Sequence, residues 1–183
     1  MIRIMYSDCF QRLDALTDAA CDLVAGERLF RRGDEVQRLY IVTKGTLLLQ
    51  RDTIDGDLLI VQRASAGCVL AEASVRSKRY HCDAQASVTS SVRSVSVSRV
   101  TDALMSDTAL ANAWTSMLAH ELQRSRAQSE ILRLKGVARR LDAWLALEGC
   151  ELPPRGHQRA VADEIGVTPE ALYRELARRR NSA

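Results

Sequence analysis

Two different hydrophobic periods divide the chain. From Gly26 to Val97 the apolar residues come in short runs: Arg28 to Phe30, Leu39 to Thr43, Thr46 to Gln50, Leu58 to Val61, Ala84 to Val88 and Val92 to Val97. Breaks at Gly33-Asp34, Lys44-Gly45, Asp55-Gly56 and Ala66-Gly67 separate them. Brief runs with regular turn chemistry predict short strands, and this many of them predict a small sandwich or jelly roll. Asp55-Gly56 sits where a hairpin needs its turn, in a loop longer than the tight two-residue form. Ahead of the strands, Leu13, Leu16, Ala20 and Leu23 fall at helical intervals, so Phe10 to Leu23 reads as a short amphipathic helix.

Beyond Val97 the period becomes helical. Ser98 is placed to cap a short helix over Arg99 to Met105, and Asp107 to cap a much longer one reaching Leu134. Within it Leu110, Ala113, Met117, His120, Arg124, Ala127, Ile131 and Leu134 alternate three- and four-residue steps, the seam spacing of two helices lying side by side. Trp114, Leu118 and Leu122 form a second stripe. One helix with two apolar faces is best served by giving one face to its own body and the other to a second copy, which predicts a homodimer. A buried helix in a monomeric bundle is the alternative. At 1.5 Å per residue the helix would run about 42 Å. Gly136 then interrupts the pattern as a hinge, Val137 to Leu147 resumes it, and Glu148 to Gly156, with Pro153-Pro154, reads as a loop. The expected segments are 1–105, 106–135 and 136–183.

The last stretch pairs Gln158 to Ile165 with a helix running from Pro169 through Arg179, joined at Gly166-Val167. Thr168 can cap the second helix, Pro169 suits its first turn and Glu170 favours its positive end. Two short helices around a glycine turn form the helix-turn-helix arrangement. Ala162, Ile165, Val167, Leu172 and Leu176 would hold the pair, leaving Pro169, Glu170, Tyr173 and Arg174 outward. Arginine matches the O6 and N7 acceptors of guanine and glutamate accepts from the N4 amino group of cytosine, so Arg174 and Glu170 are candidate base readers of double-stranded DNA. Arg159, Arg178, Arg179 and Arg180 are candidate phosphate contacts. A plain helical hairpin with a solvated basic end is the competing reading.

Composition narrows the classes. The 183 residues are 46% hydrophobic, enough for a core without staples, and no apolar run approaches the length needed to span a bilayer. Without a signal-peptide core after Met1, no membrane partner is expected and the cytoplasm is the expected location. Five scattered cysteines (Cys9, Cys21, Cys68, Cys82, Cys150) form no C-x-x-C spacing. A net charge of +3 permits an anionic partner without demanding one. His81-Cys82 invites a metal or redox role, but neighbours on a strand point to opposite faces; an exposed histidine beside a packed cysteine is the simpler reading, so no metal is assigned. Paired carboxylates, nucleophile-base spacings, phosphate loops and H-E-x-x-H are missing from the sequence, which argues against an enzyme.

In order along the chain, Gly26-Glu27-Arg28-Leu29-Phe30, Gly33-Asp34, Leu39-Tyr40-Ile41-Val42 and Gly45, then the long helix, the hinge and the two final helices, resemble the cyclic-AMP receptor protein/FNR (Crp/Fnr) family of bacterial transcription regulators. The resemblance implies an α+β chain: an N-terminal double-stranded β-helix of the cyclic-nucleotide-binding type as sensor, a long dimerisation helix, and a C-terminal helix-turn-helix domain with Glu170 and Arg174 as base readers. It also implies RNA polymerase as a further partner. Several positions depart from the pattern. Pro169 stands where many members carry another polar contact. The candidate effector pocket reads Ala71-Glu72 and Cys82-Asp83 where nucleotide-binding members carry Gly-Glu and Arg-Ser, with Ala127 and Gln128 replacing hydroxyls on the long helix. An acid in place of a phosphate-binding arginine repels a cyclic phosphate, so an effector other than cyclic AMP is expected and its identity, like any cofactor, is unknown. Cys9 with Cys21 does not reproduce the cysteine cluster of the iron-sulfur members, and His120 in the seam is a candidate pH-responsive pair across the dimer. Ala183 falls before the family's winged hairpin, from which weaker DNA binding is expected. A sensor or interaction module acting through another regulator is the second functional reading.

Overall fold

The computed structural model describes residues 2–56, 58–149 and 158–182, together with 152, 154 and 156. Cys150 and Pro153 lie outside the described residues. Two compact units make up the chain, Met1–Met117 and Leu118–Ala183. Their boundary falls inside the long helix, to which the sequence pattern had given a segment of its own.

The first unit is an antiparallel β-sandwich with helices at its two ends. After α1 (Ile2–Asp14) come β1 (Ala19–Leu23), β2 (Arg28–Phe30), β3 (Arg38–Lys44), β4 (Thr46–Asp52), β5 (Leu58–Ser65), β6 (Val69–Leu70), β7 (Asp83–Ala86) and β8 (Ser90–Ser96). One sheet has the order β1-β8-β3-β6 and the other β2-β7-β4-β5. Alternation builds most of the core: Leu39 and Ile41 of β3, Leu47 and Leu49 of β4, Ala84 and Ala86 of β7, and Val92 of β8 are buried, and the pattern breaks where Val42 and Gln50 are buried as well. Gly45, between β3 and β4, has φ 80°, and a Cβ there would lie 2.6 Å from the Thr89 carbonyl oxygen. Only glycine admits both that angle and that approach.

Two local readings need correction, and one short strand had not been expected. The helix expected to reach Leu23 ends at Asp14, where the Thr17 hydroxyl and N–H both bond to the Asp14 carbonyl (2.7 and 3.2 Å). Residues 19–23 instead pair with β8, from Ala19 opposite Ser94 to Leu23 opposite Ser90. Only Leu23 of that strand is buried, so no alternation marked it, and tertiary pairing overrode the helical spacing. The two-residue β6 was too short to leave a pattern. The next helix, α2 (Val97–Ser106), is capped by Ser96 rather than Ser98, its side chain accepting from the Arg99 N–H at 3.3 Å.

The long helix α3 (Thr108–Arg133) starts where expected, with Asp107 Oδ1 accepting from the N–H groups of Ala109 (2.9 Å) and Leu110 (3.1 Å). Its apolar faces divide differently. Leu110 and Met117, two members of the expected seam, are buried within the first unit beside Trp114 of the other stripe. Positions 110, 114 and 117 share one face at 3.6 residues per turn, so the body takes all three. Ile131 of the seam is buried in the second unit; Ala113, His120, Ala127 and Leu134 are half-buried and Arg124 is exposed. The row left outward is Ala111, Thr115, Leu118, Leu122, Ser125, Ser129 and Leu132, again at alternating four- and three-residue steps, with Leu122 52% and Leu132 44% exposed.

In the second unit, α4 (Val137–Glu148), α5 (Gln158–Glu164) and α6 (Pro169–Ser182) follow α3. Ile131, Leu141, Trp144, Val161, Ala162, Ile165, Leu172 and Leu176 form its core. Gly136 has φ 86° and separates α3 from α4, as its position between two helical periods implied. Among the described residues no helix is long and apolar enough to cross a membrane.

Candidate nucleic-acid interface

The turn between α5 and α6 is built by short-range bonds. The Ile165 N–H donates to Val161 and the Val167 N–H to Ala162, both at 2.9 Å, ending α5. Gly166 takes φ 62°, and a Cβ on it would meet Leu132 Cδ2 at 2.7 Å. Thr168 then caps α6 as its sequence suggested, Oγ1 accepting from the Ala171 N–H at 3.2 Å, with Pro169 in the first turn. Buried Leu172 and Leu176 lock α6 against Ala162 and Ile165.

Polar side chains reinforce that turn, and the sequence reading missed them. Arg140 donates to four backbone carbonyls: Leu134 from Nε (2.8 Å), Leu132 from Nη2 (2.9 Å), and Ile165 and Gly166 from Nη1 (3.0 and 2.8 Å). It therefore ties the end of α3 to the α5–α6 turn. Gln128 donates from its side-chain amide to the Glu164 carbonyl, and Trp144 Nε1 donates to Glu164 Oε2 at 2.7 Å. The signal available in the sequence was weak: an arginine one turn into α4, four residues after the hinge glycine.

With the inner face fixed, α6 presents Glu170, Tyr173 (44% exposed) and Arg174 outward, with Pro169 half-buried beside them. Arg159 is exposed on α5 and Arg180 on α6. Arg178 is exposed but bonded through Nε (2.9 Å) and Nη2 (2.8 Å) to Glu175. Arg179, expected to touch phosphate, is instead committed to the chain: it bonds Glu175 Oε1 (2.8 Å), Asp142 Oδ1 (2.7 Å) and the Ala138 carbonyl (3.1 Å), fastening α6 to α4. Hydrogen bonds from these two arginines pull the Glu175 carboxyl down to about 2.

The effector-pocket candidates divide between the units. In the sandwich, Glu72 opens a single 3-10 turn, Glu72–Ser74, directly after Ala71, whose φ of 68° is unusual for a residue other than glycine. Cys82 is buried, and burial pushes its thiol up. Asp83 is not a free acid facing a ligand: its Oδ1 accepts from the Arg32 N–H at 2.6 Å and its Oδ2 lies 4.0 Å from Arg28 Nε, joining β7 to β2. His81 is half-buried rather than exposed, with Nδ1 3.0 Å from Ser74 Oγ, and burial followed by the Arg51 charge lowers its pKa. In the second unit Ala127 is half-buried and Gln128 is engaged with Glu164 as above. Arg51, electrostatically coupled to both His81 and Cys82, was not among the expected pocket residues.

Residues 21–107 match the family model of the cyclic nucleotide-binding domain. The fumarate and nitrate reduction regulatory protein of Shigella dysenteriae is 24% identical over 177 residues, covering 91% of this chain and 71% of its own. Among solved structures, FixK2 from Bradyrhizobium japonicum aligns with a TM-score of 0.73 at 22% identity, over 90% of this chain and 85% of its own. The c-di-GMP-responsive global regulator CLP of Xanthomonas campestris aligns at 0.68 and 16%, over 96% and 92% respectively. The likeness to these two solved structures is one of fold.

Proposed function

We propose that the chain is a Crp/Fnr-type transcription regulator that reads double-stranded DNA as a homodimer, because residues 21–107 match the family model of the cyclic nucleotide-binding domain and the chain resembles Crp/Fnr regulators along nine-tenths of its length. The observation that carries the reading is the outward row Glu170, Tyr173 and Arg174 on a helix whose start is pinned by Thr168 and whose inner face is buried. With α5 and α6 as a helix-turn-helix, α6 enters the major groove, Arg174 addresses guanine and Glu170 cytosine. Thr168 and Pro169 set the start of that helix against the backbone, while Arg159 and Arg178 contact phosphate, the latter by exchanging Glu175 for a phosphate oxygen.

The dimer seam is the outward row of α3, Leu118, Leu122 and Leu132 with the small residues between them, rather than the buried line through Leu110, Met117 and Ile131. The sandwich acts as the sensor; its strand orders, 1-8-3-6 and 2-7-4-5, are those of a jelly roll. An effector that shifts α3 about the seam moves α6 with it, because Arg140 and Gln128 fasten α3 to the turn.

Arg174→Ala tests the reading. Specific DNA affinity is expected to fall about 10-fold or more, the loss of one bidentate base contact, while sedimentation shows an unchanged dimer. Unchanged affinity would instead favour a module that acts through another regulator.

A further inference from the structure

Between the start of α5 and one side of α6 lies a cavity of about 250 Å³, lined among the described residues by Gln158, Tyr173, Leu176 and Arg180. At 3.6 residues per turn Tyr173, Leu176 and Arg180 share one side of α6, about a quarter turn from the line through Glu170 and Arg174. Four different chemistries surround this hollow. Leu176, part of the core that holds α6 to α5, is 7% exposed and supplies an apolar floor. Tyr173 adds an aromatic wall with a hydroxyl at its edge, and Gln158, in the first turn of α5, a side-chain amide. Arg180 adds the charge, and its neighbours show why that charge is available. Arg178 is bonded to Glu175, and Arg179 to Glu175, Asp142 and the Ala138 carbonyl. Exposed Arg180, next in the run, makes no hydrogen bond or ion pair among the described residues.

We propose that this cavity binds a small aromatic carboxylate and that its occupancy competes with DNA for Tyr173. A hollow with an apolar floor and a few convergent polar groups is the usual form of a small-molecule site, and this one lies just below the usual size, which limits the ligand to about ten non-hydrogen atoms. The ring packs between Leu176 and Tyr173, while the carboxylate pairs with the Arg180 guanidinium and accepts from the Gln158 amide and the Tyr173 hydroxyl. An uncharged ring leaves Arg180 without a partner, and a bare oxyanion leaves the leucine floor uncovered. The binding site stands apart from the regulator reading; only the competition with DNA rests on it.

The test titrates the full-length, nitrogen-labelled chain with sodium benzoate, holding ionic strength constant with sodium chloride. Saturable movement of the Tyr173, Leu176 and Arg180 backbone signals is expected, with acetate and benzyl alcohol each binding at least about 10-fold more weakly and Arg180→Gln binding benzoate about 10-fold more weakly than the wild type. Arg180 is exposed, so the variant is expected to fold, and unchanged signals from the sandwich check that it has. Movement that never saturates, or that acetate or the variant reproduces in full, overturns the proposal. A DNA duplex that the protein binds is then expected to displace benzoate; both bound together overturns the competition. A chain that binds benzoate and no duplex supports this site while contradicting the regulator reading.

Discussion

Arg51 in the first unit and Arg140 in the second are both half-buried, and the two are treated in opposite ways. Arg140 finds a carbonyl oxygen for every branch of its guanidinium, four in all, and holds the α5–α6 turn to the end of α3. Arg51, near the end of β4, has an Nε that is shut off from solvent and finds no acceptor among the described residues. The difference is energetic: a saturated inward charge stabilises the chain that surrounds it, while an unsaturated donor costs stability.

The largest way to break this contrast is Arg140→Ala. Removing charge-assisted bonds to carbonyls at the turn is expected to destabilise the second unit by about 3 kcal/mol, read by hydrogen exchange of α5 and α6. An equal loss of protection in the sandwich would show that the clamp is not local. Arg51→Met is expected to act with the opposite sign, stabilising the ligand-free sandwich by about 1 kcal/mol in urea unfolding because the aliphatic stem keeps its packing and the stranded charge is gone. A destabilised variant would make Arg51 a second structural arginine.

The smallest effect is electrostatic. The Glu175 carboxyl is depressed from its ordinary value of 4.5 to about 2 by Arg178 and Arg179, so its contribution to folding is complete above pH 4.5 and disappears as pH falls toward 2. The group lies near the surface, where solvent and salt screen such pairs, so the effect is modest. Thermal unfolding of the second unit should decline across that window, and Glu175→Gln should flatten the decline; an unaltered slope in the variant would remove Glu175 as its cause.

The sequence made some of this readable and hid the rest for identifiable reasons. Glycine-punctuated alternation gave six of the strands, because inward and outward residues alternate along β7 and along the first four residues of β3, β4 and β8. It failed at β1, where four of five residues are exposed and the spacing of Leu16, Ala20 and Leu23 imitates a helix. Thr168, Pro169 and Glu170 could be placed at the start of α6 because capping is local chemistry. The seam could not be assigned, since periodicity counts apolar faces without saying which one the body takes, and Trp114 joined Leu110 and Met117. The charge of Arg51 beside His81 and Cys82 depends on pairing between β4 and β7, and the expected pocket, Glu72, Cys82, Asp83, Ala127 and Gln128, did not include it. Arg140 and the commitment of Arg179 to Asp142 depend on contacts between distant residues that no local pattern encodes.

The most direct test of the regulator reading is selection of bound sequences from a random pool of DNA duplexes by the full-length protein. The account predicts enrichment of a two-fold symmetric motif whose half-sites lie about one helical turn apart, with the strongest constraint at the base pairs facing Arg174 and Glu170. Recovery of a pool no more ordered than the one applied would contradict it.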